Sequence, residues 1–83
     1  MPLYMDRHQI TGGVSAADVA QAHKADLETQ DKYGVDYKAY WVDEAEGNIF
    51  CLVEAASPED AIRVHREAHG LVADEIYQVQ EGA

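Results

Sequence analysis

Two helix-length segments, each opened by a serine and closed by a glycine, constrain the fold of this 83-residue chain more than any other feature of it. Ser15 stands in an N-cap position, and Asp18 follows three residues later, where a carboxylate meets the positive end of the helix dipole. The helix is predicted to run to about Tyr33, and Gly34 supplies the left-handed residue that commonly follows a helix C-terminus. Ser57-Pro58-Glu59-Asp60 repeats the start signal, with proline at the first helical position and acids in the first turn, and Gly70 closes this second helix. Strand signals fill the rest. Leu3 to His8 alternates, sending Leu3, Met5 and Arg7 one way and Tyr4, Asp6 and His8 the other. Val35 to Val42 and Ile49 to Ala55 are rich in β-branched and aromatic residues, and the polar stretch between them ends in Gly47-Asn48, which predicts a hairpin. A last short strand is predicted over Glu75 to Val79.

The order strand, helix, strand, strand, helix, strand makes residues 1–83 a single α+β domain of ferredoxin-like βαββαβ architecture. Right-handed crossovers place both helices on one face of a four-stranded antiparallel sheet. The term describes the fold alone, since one cysteine cannot hold an iron-sulfur cluster. A domain of this size buries only about 60–65% of the surface its unfolded chain exposes, and a partner or ligand that binds only the folded form adds to its stability. The other sheet face has no helix to cover it, and the strands offer apolar or aromatic groups at several positions on either side, including Tyr37, Trp41, Phe50, Leu52 and Tyr77. A second copy of the chain is the expected cover, so a homodimer is predicted.

Sixteen acidic residues against six basic ones give a formal charge of -10. That field repels phosphate backbones and anionic membrane surfaces, which argues against nucleic acid and membrane partners, and it favours cations near the surface. No run approaches the ~18 consecutive apolar residues of a membrane span. The opening segment, Met1 to His8, lacks the basic and apolar pattern of a secretory signal, and the lone Cys51 cannot form an internal disulfide. A reducing cytoplasm is therefore the expected location.

Chemistry is concentrated in four histidines. His65 and His69 stand four apart on the second predicted helix, so their rings fall on one side, one turn apart, and can offer two imidazole nitrogens to one ion. The blander account packs His65 in the stripe Ala61, Val64, His65, Ala68 and leaves His69 to the negative helix C-terminus. His23 falls in the stripe Ala16, Val19, Ala20, His23, Leu27 of the first helix, as a core histidine or as a partner for His65 near Cys51. His8, sharing a strand face with Tyr4 and Asp6, is a candidate ligand on the open sheet face or an interface. Cys51, between Phe50 and Leu52, has the setting of an inert buried thiol. Asp6, Asp26 and Glu54 can supply carboxylate oxygens, but solvated surface charge is the ordinary expectation for each. Any site built on imidazole requires the neutral ring, so metal uptake is expected to weaken as pH falls through ~6.5. A second reading makes the cleft between helices and sheet, around His23, Cys51 and His65, a small-molecule or catalytic pocket with a histidine as acid or base.

The sequence also resembles a family of small actinobacterial-type proteins with a ferredoxin-like fold, labelled nickel-binding proteins. The resemblance rests on Tyr4-Met5-Asp6-Arg7-His8, on Asp18-Val19-Ala20, Ala22-His23 and Asp26-Leu27, on Lys32-Tyr33-Gly34-Val35, and on Tyr40-Trp41. It continues through Phe50-Cys51-Leu52-Val53-Glu54-Ala55 and Val64-His65-Arg66-Glu67-Ala68-His69-Gly70 and so spans nearly the whole chain. It implies a homodimer that binds nickel through side chains and sequesters or buffers the metal without turnover. It makes His8, His23, His65 and His69 the positions to test. Nickel follows from the resemblance alone, because imidazole donors bind copper more tightly and zinc comparably.

Overall fold

A computed structural model describes residues 1–82. Seven elements follow one another: β1 (Leu3–Gln9), α1 (Ala16–Thr29), a 3₁₀ turn (Gln30–Tyr33), β2 (Asp36–Asp43), β3 (Asn48–Glu54), α2 (Pro58–Ala68) and β4 (Glu75–Val79). The sheet order is β2-β3-β1-β4 with every neighbouring pair antiparallel, the ferredoxin-like α+β arrangement. Both predicted N-caps are in place: Ser15 Oγ accepts the Asp18 N–H at 3.1 Å and Ser57 Oγ accepts the Asp60 N–H at 3.4 Å. The first helix does not reach Tyr33 as an α-helix. Its last turn tightens to 3₁₀ form, and Gly34, at φ 65°, ends it. The Gln30 side chain explains the tightening, because its Oε1 accepts the Tyr37 N–H at 2.8 Å and turns the chain straight into β2. Among the described residues, no helix is long and apolar enough to cross a membrane.

The helix-facing side of the sheet is lined by Tyr4, Asp6 and His8 of β1, Tyr37 of β2, and Ile49, Cys51 and Val53 of β3. Val19 and Asp26 of α1 and Ala61, Val64 and His65 of α2 close the layer from the other side. The stripe expected on α1 is rotated. Ala16, Ala20 and Leu27 are exposed, whereas Val19 and Asp26 are buried with Ala22 and His23 beside them. The helix is rich in alanine and has few large apolar groups, so the partners of Asp26 set its phase.

The other sheet face carries Leu3, Met5, Phe50, Leu52, Trp41 and Tyr77, with Trp41 52% and Tyr77 54% exposed. Tyr37 lies on the helix side. A β-bulge between Tyr37 and Ala39 sets the extra residue Lys38 into β2, so Tyr37 pairs with buried Val53 while Trp41 pairs with Phe50 on the open face.

The hairpin tip is fastened to the loop after β1. Gly47 accepts the Ile10 N–H through its carbonyl at 2.8 Å and donates its own N–H to Asp43 O at 2.9 Å. At φ 73°, a Cβ on Gly47 would run into the Ile10 carbonyl, whereas one on Gly34 would meet nothing within 4 Å. Gly34→Ala should therefore cost only the left-handed backbone term of about 1–2 kcal/mol, and Gly47→Ala distinctly more, because the loop must also move. Urea unfolding of the two variants checks this, and equal losses would contradict the close approach.

Candidate metal centre

Three elements deliver the polar groups of the interior. The alternation of β1 puts Asp6 and His8 two residues apart on its buried side, and the antiparallel register sets Cys51 of β3 opposite Asp6. α2 carries His65 two turns beyond its cap, on the face it shares with Ala61 and Val64, and His69 ends the helix one turn later. α1 supplies Asp26 and His23 from above.

At the centre, His65 bridges two carboxylates. Its Nε2 lies 2.9 Å from Asp6 Oδ2 and its Nδ1 lies 2.9 Å from Asp26 Oδ1. The same Asp26 oxygen lies 3.0 Å from His69 Nε2, and the Leu71 N–H donates to His69 Nδ1 at 3.0 Å. His8 Nε2 comes within 3.2 Å of Asp6 Oδ1 without hydrogen-bond alignment, so this buried oxygen is left with no hydrogen-bond partner. Tyr37 lies against the His65 ring, with centroids 4.5 Å apart, and its hydroxyl sits 3.1 Å from Ala61 O and 3.3 Å from Asp6 Oδ2. Asp6 is 1% exposed and His65 2%.

Burial by itself would push His65 toward the neutral form, but the hydrogen bonds and charges of Asp26 and Asp6 outweigh it and raise the imidazole to about 9. Burial works against ionising Asp6 too, and the hydrogen bond from His65 with the close approach of His8 overcomes it, holding the carboxyl at about 2. Asp26 is lowered in the same way, with His65 and His69 outweighing burial. Cys51 is pushed up by burial first and by the charge of Asp6 second, so it is a thiol in the metal-free protein. Burial lowers His23, which lies 4.6 Å from the Tyr40 ring, centroid to centroid, and whose buried Nδ1 has no hydrogen-bond partner. Without metal the centre is an imidazolium held between two carboxylates.

The donors meet the requirements of a metal site. Asp6, His8, Cys51 and His65 each offer a ligand atom within 4.8 Å of the others, and so do Asp26, His65 and His69. The imidazoles of both groups, with Asp26 and Cys51, border a cavity of about 20 Å³, room for one water or one ion. Nitrogen with carboxylate oxygen and sulfur suits borderline divalent ions of the later transition series. An ion at His65 has to displace a proton held more firmly than on a free imidazole, so competition from protons begins well above the expected pH of 6.5.

All four candidate histidines border this one cavity. His8 is 4% exposed on the helix side of β1, not on the open face, because the strand turns its Tyr4–Asp6–His8 side inward. His23 lines the cavity but stands outside both groups of converging donors. Glu54 lies away from the site, 3.9 Å from Lys38. Asp6 and Asp26, expected to be solvated, are instead buried anchors of the centre. Strand alternation with His8 and the three-residue spacing from His23 were the signals that could have found them.

A small ferredoxin-like α+β domain with imidazoles and carboxylates gathered in its interior is thus the class this chain represents. Over residues 4–79 it matches the family described as "Nickel responsive protein SCO4226-like", and it belongs to that family. The solved structure of SCO4226 from Streptomyces coelicolor A3(2) is similar to it at a TM-score of 0.90 and 40% sequence identity, covering 98% of this chain and 99% of that one. No functionally curated protein matches the chain.

The sign of the pH response follows from His65 and Asp6. His65 is raised from 6.5 to about 9, so its contribution is complete below pH 6.5 and is lost as pH climbs through 9. Asp6 is lowered from 3.8 to about 2, so its contribution is present above pH 3.8 and is lost as pH falls through 2. The metal-free protein is expected to melt at steadily lower temperature from pH 6.5 to 9. His65→Ala, which takes the cation from between two buried carboxylates, should lose about 3–5 kcal/mol at pH 6. A melting temperature unchanged across that alkaline window would contradict a cationic His65.

Proposed function

We propose that this protein binds a divalent transition-metal ion, nickel foremost, in the layer between its helices and its sheet, and that it sequesters or buffers the ion without chemical turnover. The observation that carries this reading is the convergence of imidazoles, the buried Asp26 carboxylate and a thiol on a cavity of about 20 Å³, with Asp6 close behind them. A pocket for a small organic molecule needs roughly 300 Å³ or more, which weighs against a catalytic or metabolite-binding cleft around His23, Cys51 and His65. His65 is the central ligand of the proposal, with His8, His69 and His23 arranged about it. Nickel is named because the family is nickel-responsive, while the donor types alone would bind copper more tightly and zinc about as well. The formal charge of -10 raises the local concentration of cations. The reading includes a homodimer whose partner covers Met5, Trp41, Phe50, Leu52 and Tyr77, and a cytoplasmic setting that keeps Cys51 reduced.

Calorimetric titration of tag-free, metal-free protein should show saturable nickel binding, and nickel should raise the melting temperature. His65→Gln, shown to be folded by circular dichroism, should weaken uptake by more than about tenfold. Unchanged uptake in that variant, or no thermal response to any divalent ion, would refute the site. Sedimentation at micromolar concentration should give a dimer that Trp41→Glu dissociates, and a monomer from the unaltered chain would refute the interface.

A further inference from the structure

We infer that the two nitrogens of His65 have separate duties: Nε2 is an inner ligand together with Asp6, His8 and Cys51, while Asp26, braced by His69, holds the Nδ1 proton from outside. The inference rests on the metal-binding reading above and assigns its ligands. His69 then becomes a positioning residue, and the thiolate of Cys51 becomes part of the site.

Hydrogen-bond satisfaction separates the two sides of the ring. On the Nδ1 side nothing is left over. Asp26 Oδ1 receives both His65 Nδ1 at 2.9 Å and His69 Nε2 at 3.0 Å, and His69 Nδ1 accepts the Leu71 N–H at 3.0 Å. A neutral imidazole whose Nδ1 accepts a hydrogen bond carries its proton on Nε2, so His69 is a donor to Asp26. Ligation through that Nε2 would move the proton to Nδ1 and set it against the Leu71 N–H.

On the Nε2 side one buried polar atom is left over. Asp6 is 1% exposed, yet its Oδ1 has no hydrogen-bond partner, and His8 Nε2 stands 3.2 Å from it out of alignment. An unpaired buried carboxylate oxygen points to an occupant that supplies positive charge. The four donor atoms of Asp6, His8, Cys51 and His65 lie within 4.8 Å of one another, and all four residues are buried, which describes a closed four-donor set. A ligating histidine whose second nitrogen donates to a carboxylate is the general means of fixing ring orientation and tautomer at metal centres, and Asp26 stands at that place. On binding, the ion takes the electron pairs of Cys51 Sγ and His65 Nε2, and the protons those atoms carried leave to solvent.

Cobalt(II) is the probe, because a thiolate ligand gives it a sulfur-to-metal charge-transfer band in the near ultraviolet. Titrating cobalt(II) into reduced, metal-free protein should produce that band. Cys51→Ser and Cys51→Ala should abolish it and weaken uptake by at least tenfold. His69→Gln and Asp26→Asn should retain the band while weakening uptake by about 10–100-fold. A His65-dependent uptake with no such band, or a loss of uptake in His69→Gln that Cys51→Ser does not share, would overturn this assignment and leave the metal-binding reading standing. Absence of any cobalt or nickel uptake would overturn both.

Discussion

The contact between His65 and the two aspartates beside it is what the rest of the molecule depends on. Asp6 sits on β1, Asp26 on α1 and His65 on α2, so one buried side chain ties both helices to the centre of the sheet. It also sets the roll of α1, a helix with little apolar surface to orient it otherwise. Burying an ionic triad contributes less net stability than apolar residues of the same volume would, while removing one member is severe. The fold therefore keeps a polar centre at some thermodynamic cost. The small apolar residues around it, Ala55, Ala61, Val53 and Val64, are packed to near-zero exposure and keep water away.

Water exclusion makes the charges of this centre effective. In the low-dielectric interior, two carboxylates against one imidazolium leave a local excess of negative charge, and the exterior reinforces it with a formal -10. A divalent cation answers both. Selection among such cations rests on donor placement and on the size of the space, because the donor types themselves follow the common affinity order.

The fold was legible in the sequence because its punctuation is local. Ser15, Ser57, Pro58, Gly34 and Gly70 each act within a few residues, and a cap or a left-handed glycine requires nothing from the rest of the chain. The centre was half legible. Alternation grouped Tyr4, Asp6 and His8 on one face, yet nothing local says which face is covered, and the ordinary solvation of aspartate pointed the wrong way. Asp26 and His65 are 39 residues apart, and each makes sense inside only in the presence of the other. The histidine pair on α2 was visible at once, but the share of each ring in the site depends on the Leu71 N–H and on Asp26, which spacing does not reveal.

The bulge at Lys38 was equally hidden, and it makes that one point of β2 tolerant of a shorter chain. The bulge absorbs one residue beyond the count of a regular ladder, so Tyr37 and Tyr40 both face the interior, opposite Val53 and Cys51, while Trp41 stays outside, opposite Phe50. Deleting Lys38 would leave Tyr37, Ala39, Tyr40 and Trp41 opposite Val53, Leu52, Cys51 and Phe50 in unbroken alternation, so the strand would straighten without exchanging its faces. Exchanging Lys38 for another side chain leaves that count intact. A deletion elsewhere in β2 has no such spare residue to give up and would turn every side chain beyond it to the opposite face.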